Sequence, residues 1–500
     1  MNIGGKIDRM SQISPSTRVS QAAGGKTFFG HPRMLANLFS VELWERFSFY
    51  GMQGILLYYM YFSVAEGGLG MDEGLATGLV GAYGGGVYLS SILGAWISDR
   101  LLGAEKVLFY SGIMIMFGHI ALALVPGAVG LAIGLVLVAI GSGGLKATAT
   151  SLVGSLYAEK DERRDAGFSI FYMGVNIGGL IGPLLTGLAQ VSLGFHYGFG
   201  LAALGMAIGL GQYALTRKNL PEESHYVANP LPRSKYGRIA AVAIAAVVVI
   251  VLAVALGLVT AENLAPIMAW LAIIAAAIYF VVILSSKRVT PVERGRVYAF
   301  IPLFIASAAF WALFQQQFTV VALYADKQLD RTLFGWEMPA TWVQSINPVF
   351  IIIFAGIFAA IWTKLGPKQP GSPLKFALGL AIMGLAFLAF IPLAGGGANS
   401  TPLLAMVGIL FLFTMAELFL SPTGSSISTK LAPAAFKTQM VALFLLSISL
   451  GTTLAGILAG YYDPANEAPY FGFIGVTAMI LGAALAVAAP AMKKIMGGVR

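Results

Sequence analysis

Residues 239–259 read IAAVAIAAVVVIVLAVALGLV, a run of 21 residues without one polar or charged side chain. At about 1.5 Å per residue, this run forms a helix about 32 Å long, which is enough to cross the hydrocarbon core of a bilayer, about 30 Å thick. A second apolar run, residues 264–285, follows almost at once. The two runs predict a pair of membrane-spanning helices, which we interpret as a peripheral hairpin packed on the rest of the protein.

Similar apolar segments lie on both sides of this hairpin. Six precede it, at about 37–62, 74–98, 104–125, 129–157, 163–190 and 195–216, and six follow it, at about 298–325, 340–364, 373–394, 402–430, 435–461 and 469–492. Of all residues, 58% are hydrophobic and 11% charged, whereas soluble domains carry about 25% charged residues. This composition excludes a water-soluble enzyme or binding domain. The sequence therefore predicts an all-α membrane protein with fourteen transmembrane helices.

These segments divide the chain into five regions. We expect a disordered cytoplasmic tail over 1–33, a six-helix bundle over 34–216, a basic linker with the hairpin over 217–297, a second six-helix bundle over 298–492 and a short tail over 493–500. Without cysteine, the chain has no disulfide framework and no thiol chemistry.

The basic residues indicate how the chain is oriented. Most of the 31 Lys and Arg fall in the tails and in loops on one side of the predicted bundle. Because Lys and Arg are concentrated in cytoplasmic loops, we expect both termini in the cytoplasm and a multi-pass protein of a bacterial inner membrane. The net charge of +9 reflects this orientation, so we expect contact with the lipid bilayer and none with nucleic acid.

Five ionisable residues lie inside predicted membrane helices, where they are costly and usually functional. They are Glu42, Glu45, Arg46, Lys146 and Glu417. The spacing i, i+3, i+4 places Glu42, Glu45 and Arg46 on one face of a helix. Three acids face two bases, so one added proton would balance the set. We therefore predict that a proton is the coupling ion and that no metal or organic cofactor is needed.

Several motifs resemble known families. Six helices, a long basic connection and six more helices resemble the major facilitator superfamily, as does Gly94-Ala-Trp-Ile-Ser-Asp99-Arg100 at the end of the second segment. The stretch Glu42-Leu-Trp-Glu45-Arg46-Phe47-Ser-Phe-Tyr50-Gly51 is similar to the ExxERFxYYG signature of the proton-dependent oligopeptide transporter family. Further stretches also match that family: Phe171–Gly178, Gly141–Lys146, Phe310–Phe314, Gln344–Pro348 and Glu417–Pro422.

This resemblance implies a major facilitator fold and proton-coupled uptake of di- and tripeptides by alternating access; separately, we expect a monomer. It also implies a role for each matching residue. Arg46, Tyr50 and Lys146 would bind the peptide carboxylate, and Asn176, Asn347 and Glu417 its amino terminus. Glu42, Glu45, Arg46 and Glu417 would couple protons to transport, and Tyr83, Trp311 and Phe444 would line side-chain pockets.

Two positions depart from the family pattern. Family members often carry Arg at position 53 and an acid at position 315, which form an ion pair that closes the external gate, whereas both positions are Gln here. We hypothesise that Gln53 and Gln315 meet when the gate closes and replace the ion pair with an amide–amide hydrogen bond.

Two other functions remain open at this point. The same scaffold could carry another small solute such as nitrate, although a small anion would not need the predicted site for an amino terminus. A peptide sensor that does not transport is the second alternative, and neither motif nor composition separates it from a transporter.

Overall fold

The computed structural model describes residues 27–158, 161–227 and 229–499, so most of the predicted tail 1–33 lies outside the described residues. The described chain forms fourteen long helices. They are α1 (Arg33–Tyr61), α2 (Glu73–Ile97), α3 (Ala104–Leu124), α4 (Gly127–Ser155), α5 (Arg164–Leu193), α6 (Phe195–Thr216), α7 (Tyr236–Ala255), α8 (Ala261–Ser285), α9 (Pro291–Phe314), α10 (Ile346–Leu365), α11 (Ser372–Leu388), α12 (Leu403–Lys430), α13 (Lys437–Ala459) and α14 (Ala468–Ile495).

The prediction of an all-α membrane protein with fourteen long helices is confirmed. Among the described residues, twelve helical segments are long and apolar enough to cross a membrane. These segments cover α3 to α14, and α1 and α2 supply the remaining two helices, with 29 and 25 residues. The first of these carries Glu42, Glu45 and Arg46, which make it less apolar than the others.

Two six-helix halves, α1–α6 and α9–α14, pack against each other. Within the first half α1 lies against α5 and α6, and within the second half α11 lies against α12 and α14. The halves meet where α2 packs along α13. There, a Cβ added to Gly81 would lie 2.7 Å from Gly456 Cα, so the two backbones are in contact. Small residues permit such close approach between membrane helices.

The two insertion helices differ in how they pack. The helix α8 lies against α2 and α13 and buries Ala265, Ala269, Ala272, Ala276 and Ile283. By contrast, no residue of α7, Tyr236–Ala255, is buried within the described protein. The prediction that the hairpin packs on the bundle is therefore right for α8 and wrong for α7, because an all-apolar helix is equally stable with lipid around it.

The segment predicted as a single helix over 298–325 is interrupted. The helix α9 ends at Phe314, a 3-10 turn follows over Gln315–Phe318, and a short helix covers Val320–Lys327. At the break, Thr319 has φ −126° and ψ −95°, which is outside the helical range. The interruption places Gln315 and Gln317 at a cavity between the halves, whereas Gln316 Oε1 accepts a hydrogen bond from Tyr470 within the second half.

One face of the bundle carries both ends of the described chain and the connection between the halves, and we call it the basic face. The connection is held there by backbone bonds: Asn229 N donates to Asp99 O over 2.9 Å, and Leu231 N to Arg100 O over 3.0 Å. Arg217 Nη1 lies 2.9 Å from Glu105 Oε1. The other face, where α1 ends and α2 begins, is the opposite face.

Candidate functional site

Two adjoining cavities lie between the halves. The central cavity, about 140 Å³, includes Tyr50, Gln53, Asn176, Gln315, Gln344, Asn347 and Glu417 in its lining. The basic-side cavity, about 910 Å³, includes Arg100, Lys146, Ser421, Ser425, Gln439 and Phe444. Tyr88 and Trp311 line both cavities. These shared residues place the cavities side by side, with the larger one toward the basic face.

The three charged residues of α1 form a compact cluster, as their spacing predicts. Arg46 Nε lies 2.8 Å from Glu42 Oε1 and 2.9 Å from Glu45 Oε2. Their exposed fractions are 5% for Glu42, 0% for Glu45 and 3% for Arg46. We call these three residues the charge cluster. One guanidinium thus holds two carboxylates in a site from which water is excluded.

The charge cluster is connected to α4. Ser142 Oγ donates a hydrogen bond to Glu45 Oε1 over 3.1 Å, and Lys146 lies one helical turn further along the same helix. Within the described protein, no carboxylate oxygen comes within 4 Å of Lys146 Nζ, which instead lies 4.5 Å from the centre of the Tyr88 ring. Lys146 is therefore a half-buried residue whose ammonium lies over the Phe49 and Tyr88 rings, outside ion-pair distance of the described acids.

The three residues predicted for a peptide carboxylate are not all on one surface. Tyr50 lines the central cavity and Lys146 the basic-side cavity. Arg46 is absent from the lining of both, because its side chain turns toward Glu42 and Glu45. In this conformation the guanidinium serves the charge cluster, and direct contact with a ligand in either cavity would require that it move.

The residues predicted for an amino terminus do come together. Asn347 Nδ2 donates to Glu417 Oε2 over 3.3 Å and to Thr414 Oγ1 over 3.0 Å, which joins α10 to α12. Asn176, on α5, lines the same central cavity and donates to Tyr172 O over 3.0 Å. The wall formed by Glu417 and Asn347 offers a carboxylate and an amide oxygen, the groups that bind an ammonium ion.

Two of the three aromatic residues predicted for pockets reach a cavity. Trp311 lines both cavities and Phe444 lines the basic-side cavity. Tyr83 does not line either, because Phe49 lies in front of it with the two rings stacked at 6.1 Å. The prediction for Tyr83 needs correction: the ring supports Phe49, which lines the central cavity in its place.

The predicted gate residues line the central cavity without joining each other. Across the described residues there is no hydrogen bond between Gln53 and Gln315, and Gln315 Oε1 is buried without a partner. The hypothesis of an amide–amide bond between them does not hold in this conformation. Both side chains face the cavity rather than each other.

The opposite face is closed by other residues. Lys327 Nζ donates to Glu73 Oε1, Tyr61 Oη donates to Asp326 Oδ2 over 2.5 Å, and Tyr58 Oη donates to Ala322 O over 3.1 Å. Each contact joins the first half to the short helix Val320–Lys327 of the second half. Glu73–Lys327 and Tyr61–Asp326 are called the outer contacts below. The protein is thus closed at the opposite face, while the basic-side cavity separates the halves on the other side.

Sequence reasoning missed several residues that line the cavities. Gln317 and Phe318 are presented by the break after α9, and Tyr88 faces Lys146. Their only signal in the sequence is polarity or aromaticity in an apolar segment. The sequence did not indicate the outer contacts, because charged residues are common at the ends of membrane helices and do not by themselves predict an interaction.

Comparison with known proteins shows which protein family the chain is similar to. The sequence profile of the POT family matches residues 105–476. An uncharacterized transporter, YclF of Bacillus subtilis (strain 168), is 44% identical over 478 residues, covering 95% of this chain and 97% of the relative. A di-/tripeptide transporter of Lactococcus lactis subsp. cremoris is 38% identical over 489 residues, covering 95% and 98%.

The fold also matches a solved structure. The crystal structure of a mutant of the peptide transporter POT in complex with alafosfalin superposes with a TM-score of 0.91 at 45% identity. The match covers 97% of this chain and 99% of that chain. The arrangement of helices described above is therefore shared over nearly the whole length of both proteins.

The outer contacts should hold the opposite face closed. We expect Glu73→Gln, and separately Tyr61→Phe, to increase access to the central cavity from that face about two- to fivefold, because partly exposed pairs contribute about 0.2–1 kcal/mol. The chain has no cysteine, so a single Gln53→Cys replacement in each background reports access as the rate of labelling by a membrane-impermeant maleimide.

Asp161→Asn provides the matched control, since Asp161 forms an ion pair with Arg163 on the basic face. It should leave the labelling rate unchanged. Unchanged labelling in both Glu73→Gln and Tyr61→Phe would show that the outer contacts do not keep this face closed.

Proposed function

The chain belongs to the POT family, a family of multi-pass membrane transporters, and from this premise we propose that it takes up di- and tripeptides by proton-coupled symport. The observation that carries the proposal is the polarity of the two adjoining cavities. Lys146, in the first half, lines the basic-side cavity, and Glu417, in the second half, lines the adjoining central cavity. A zwitterionic peptide carries the complementary charges at its two ends.

The amino terminus would bind Glu417, with Asn347 and Asn176 beside it. Asn347 Nδ2 already donates to Glu417 Oε2, which orients the carboxylate and leaves the amide oxygen of Asn347 for an N–H donor. Charge-assisted hydrogen bonds of this kind are about twice as strong as neutral ones. A small anion such as nitrate has no N–H donor for the Glu417 carboxylate or the Asn347 amide oxygen. The Glu417–Asn347 pair therefore favours peptides.

The peptide carboxylate would bind Lys146 and the Tyr50 hydroxyl. The ammonium of Lys146 has no carboxylate within 4 Å in the described protein, so an incoming carboxylate would supply its missing countercharge. Arg46 would join this site only when its hold on Glu42 or Glu45 weakens. Trp311 and Phe444 would contact peptide side chains, because both rings line the cavities.

Proton coupling would act through the charge cluster. Two carboxylates share one guanidinium: Glu42 Oε2 is buried without a hydrogen-bond donor, and Glu45 Oε2 is held by its ion pair with Arg46. A proton on either acid would remove one of the two negative charges that hold Arg46 and would free the guanidinium to turn toward the substrate carboxylate. Glu417 would contribute to coupling as the acid that the substrate amine neutralises.

Alternating access would carry the peptide across. With the opposite face closed and the basic-side cavity between the halves, the described conformation suits release toward the basic face. We propose that this face is cytoplasmic in a bacterial inner membrane, since basic loops are retained on that side. The cycle needs only the two halves of one chain, so a monomer would be sufficient.

The proposal predicts how uptake is driven. In proteoliposomes, an inward proton gradient with a negative-inside potential should accumulate labelled dialanine, because one proton balances the buried charges. Uptake is measured against empty liposomes and against a protonophore, which should abolish accumulation. Accumulation that survives the protonophore and follows a sodium gradient would contradict proton coupling, and binding without uptake would indicate the sensor.

Glu417→Gln should weaken recognition of the amino terminus. The replacement keeps volume and hydrogen bonding and removes one charge, a loss of about 1.5–3 kcal/mol for a hydrogen bond to a charged group. We therefore expect inhibition of dialanine uptake by free dipeptides to weaken about tenfold or more, and inhibition by N-acetylated dipeptides to change little. Equal losses for both inhibitors would remove Glu417 from amine binding.

A further inference from the structure

The central cavity is unusually rich in carboxamides. Six side chains of this type line it, and a single carboxylate accompanies them: Gln53, Asn176, Gln315, Gln317, Gln344, Asn347 and the acid Glu417. The two asparagines hydrogen-bond within the protein, Asn176 to Tyr172 O and Asn347 to Glu417. The glutamines at 53, 315 and 344 have no such role among the described residues, and we call them the amide cluster.

The amide cluster presents unsatisfied hydrogen-bonding atoms. Gln315 Oε1 and Gln344 Oε1 are buried and have no partner in the described protein. The Gln344 residue is 6% exposed and Gln53 is 4% exposed. Buried polar atoms are normally paired, and leaving one unpaired costs free energy. A ligand that brings an N–H or O–H donor to these oxygens would recover that free energy.

The positions of these side chains indicate which part of a peptide they meet. Gln344 precedes Asn347 by three residues, about one turn, and Asn347 contacts the proposed amine-binding carboxylate of Glu417. The side chain of the first residue of a peptide branches from the carbon that bears the amine. It therefore extends into the central cavity, whose lining includes Gln344 and Gln315.

The chemistry of the amide cluster selects the kind of side chain. Each carboxamide has donors and an acceptor and carries no net charge, so it can pair with another carboxamide or with a hydroxyl. Within this cavity the one charged group that the described residues supply is Glu417, which the peptide amine would occupy. A charged first side chain would be desolvated there without a countercharge, and an apolar one would leave both oxygens unpaired.

We propose that Gln53, Gln315 and Gln344 form a neutral subsite for the side chain of the amino-terminal residue, and that it favours carboxamide or hydroxyl side chains over apolar side chains of the same shape. The inference rests on the proposed function, since it takes the amine to be bound at Glu417. It adds a substrate preference to that function and assigns the glutamines a role in recognition instead of in gating.

The test compares two dipeptides of nearly equal shape. Asn-Ala and Leu-Ala compete with labelled dialanine for gradient-driven uptake in proteoliposomes, and the ratio of their inhibition constants is measured. In the native protein we expect Asn-Ala to inhibit about three- to tenfold more strongly than Leu-Ala, the effect of one or two neutral hydrogen bonds. In Gln344→Met, and independently in Gln315→Met, the ratio should fall to about one.

The control is Gln369→Met, the same replacement at the basic face, where Gln369 Oε1 accepts from Lys375 and does not line the central cavity. It should keep the native ratio. Dialanine uptake in every variant shows that the protein is folded and active. Dialanine uptake with an unchanged ratio in both Gln344→Met and Gln315→Met would overturn the subsite alone, whereas absence of dialanine uptake in the native protein would overturn the proposed function.

Discussion

The structure depends on one buried ionic interaction, the hold of Arg46 on Glu42 and Glu45. Charges removed from water are tolerated only when they are paired, and removing one partner of a buried pair typically costs about 3–5 kcal/mol. Arg46 Nε lies within 2.9 Å of both acids, so neither carboxylate can change its protonation or position without affecting the other. The first helix therefore carries a set of charges that responds as a unit.

The packing of the first half transmits that response. Ser142 Oγ connects Glu45 to α4, the helix that also carries Lys146. A Cβ added to Gly178 would lie 2.3 Å from Leu43 O, so α5 is in direct backbone contact with the helix of the charge cluster. Contacts of this kind leave little room for the backbone of α1 to move against α5. A change in the charge of the cluster would therefore act through the Arg46 side chain and through movement of one half against the other.

The sequence predicted the helices and the buried charges for clear physical reasons. Apolar runs long enough to span a bilayer have few alternatives to a helix, and Glu42, Glu45, Arg46, Lys146 and Glu417 are conspicuous where charge is expensive. The sequence could not predict which faces of rings and helices are covered by other residues. Tyr83 lies behind Phe49, α7 makes no buried contact in the described protein, and the turn at Gln315–Phe318 interrupts a segment that is uniformly apolar before it. The closure by Glu73 and Lys327 depends on two helix ends far apart in sequence.

Glu45→Gln tests the central role of the charge cluster most directly, because Glu45 is fully buried and contacts both Arg46 and Ser142. Two assays on the same proteoliposomes are compared: exchange of labelled dialanine against unlabelled peptide, which needs no net proton movement, and accumulation driven by a proton gradient. We expect exchange to continue while gradient-driven accumulation is lost. Accumulation at the native level that is still abolished by a protonophore would contradict it.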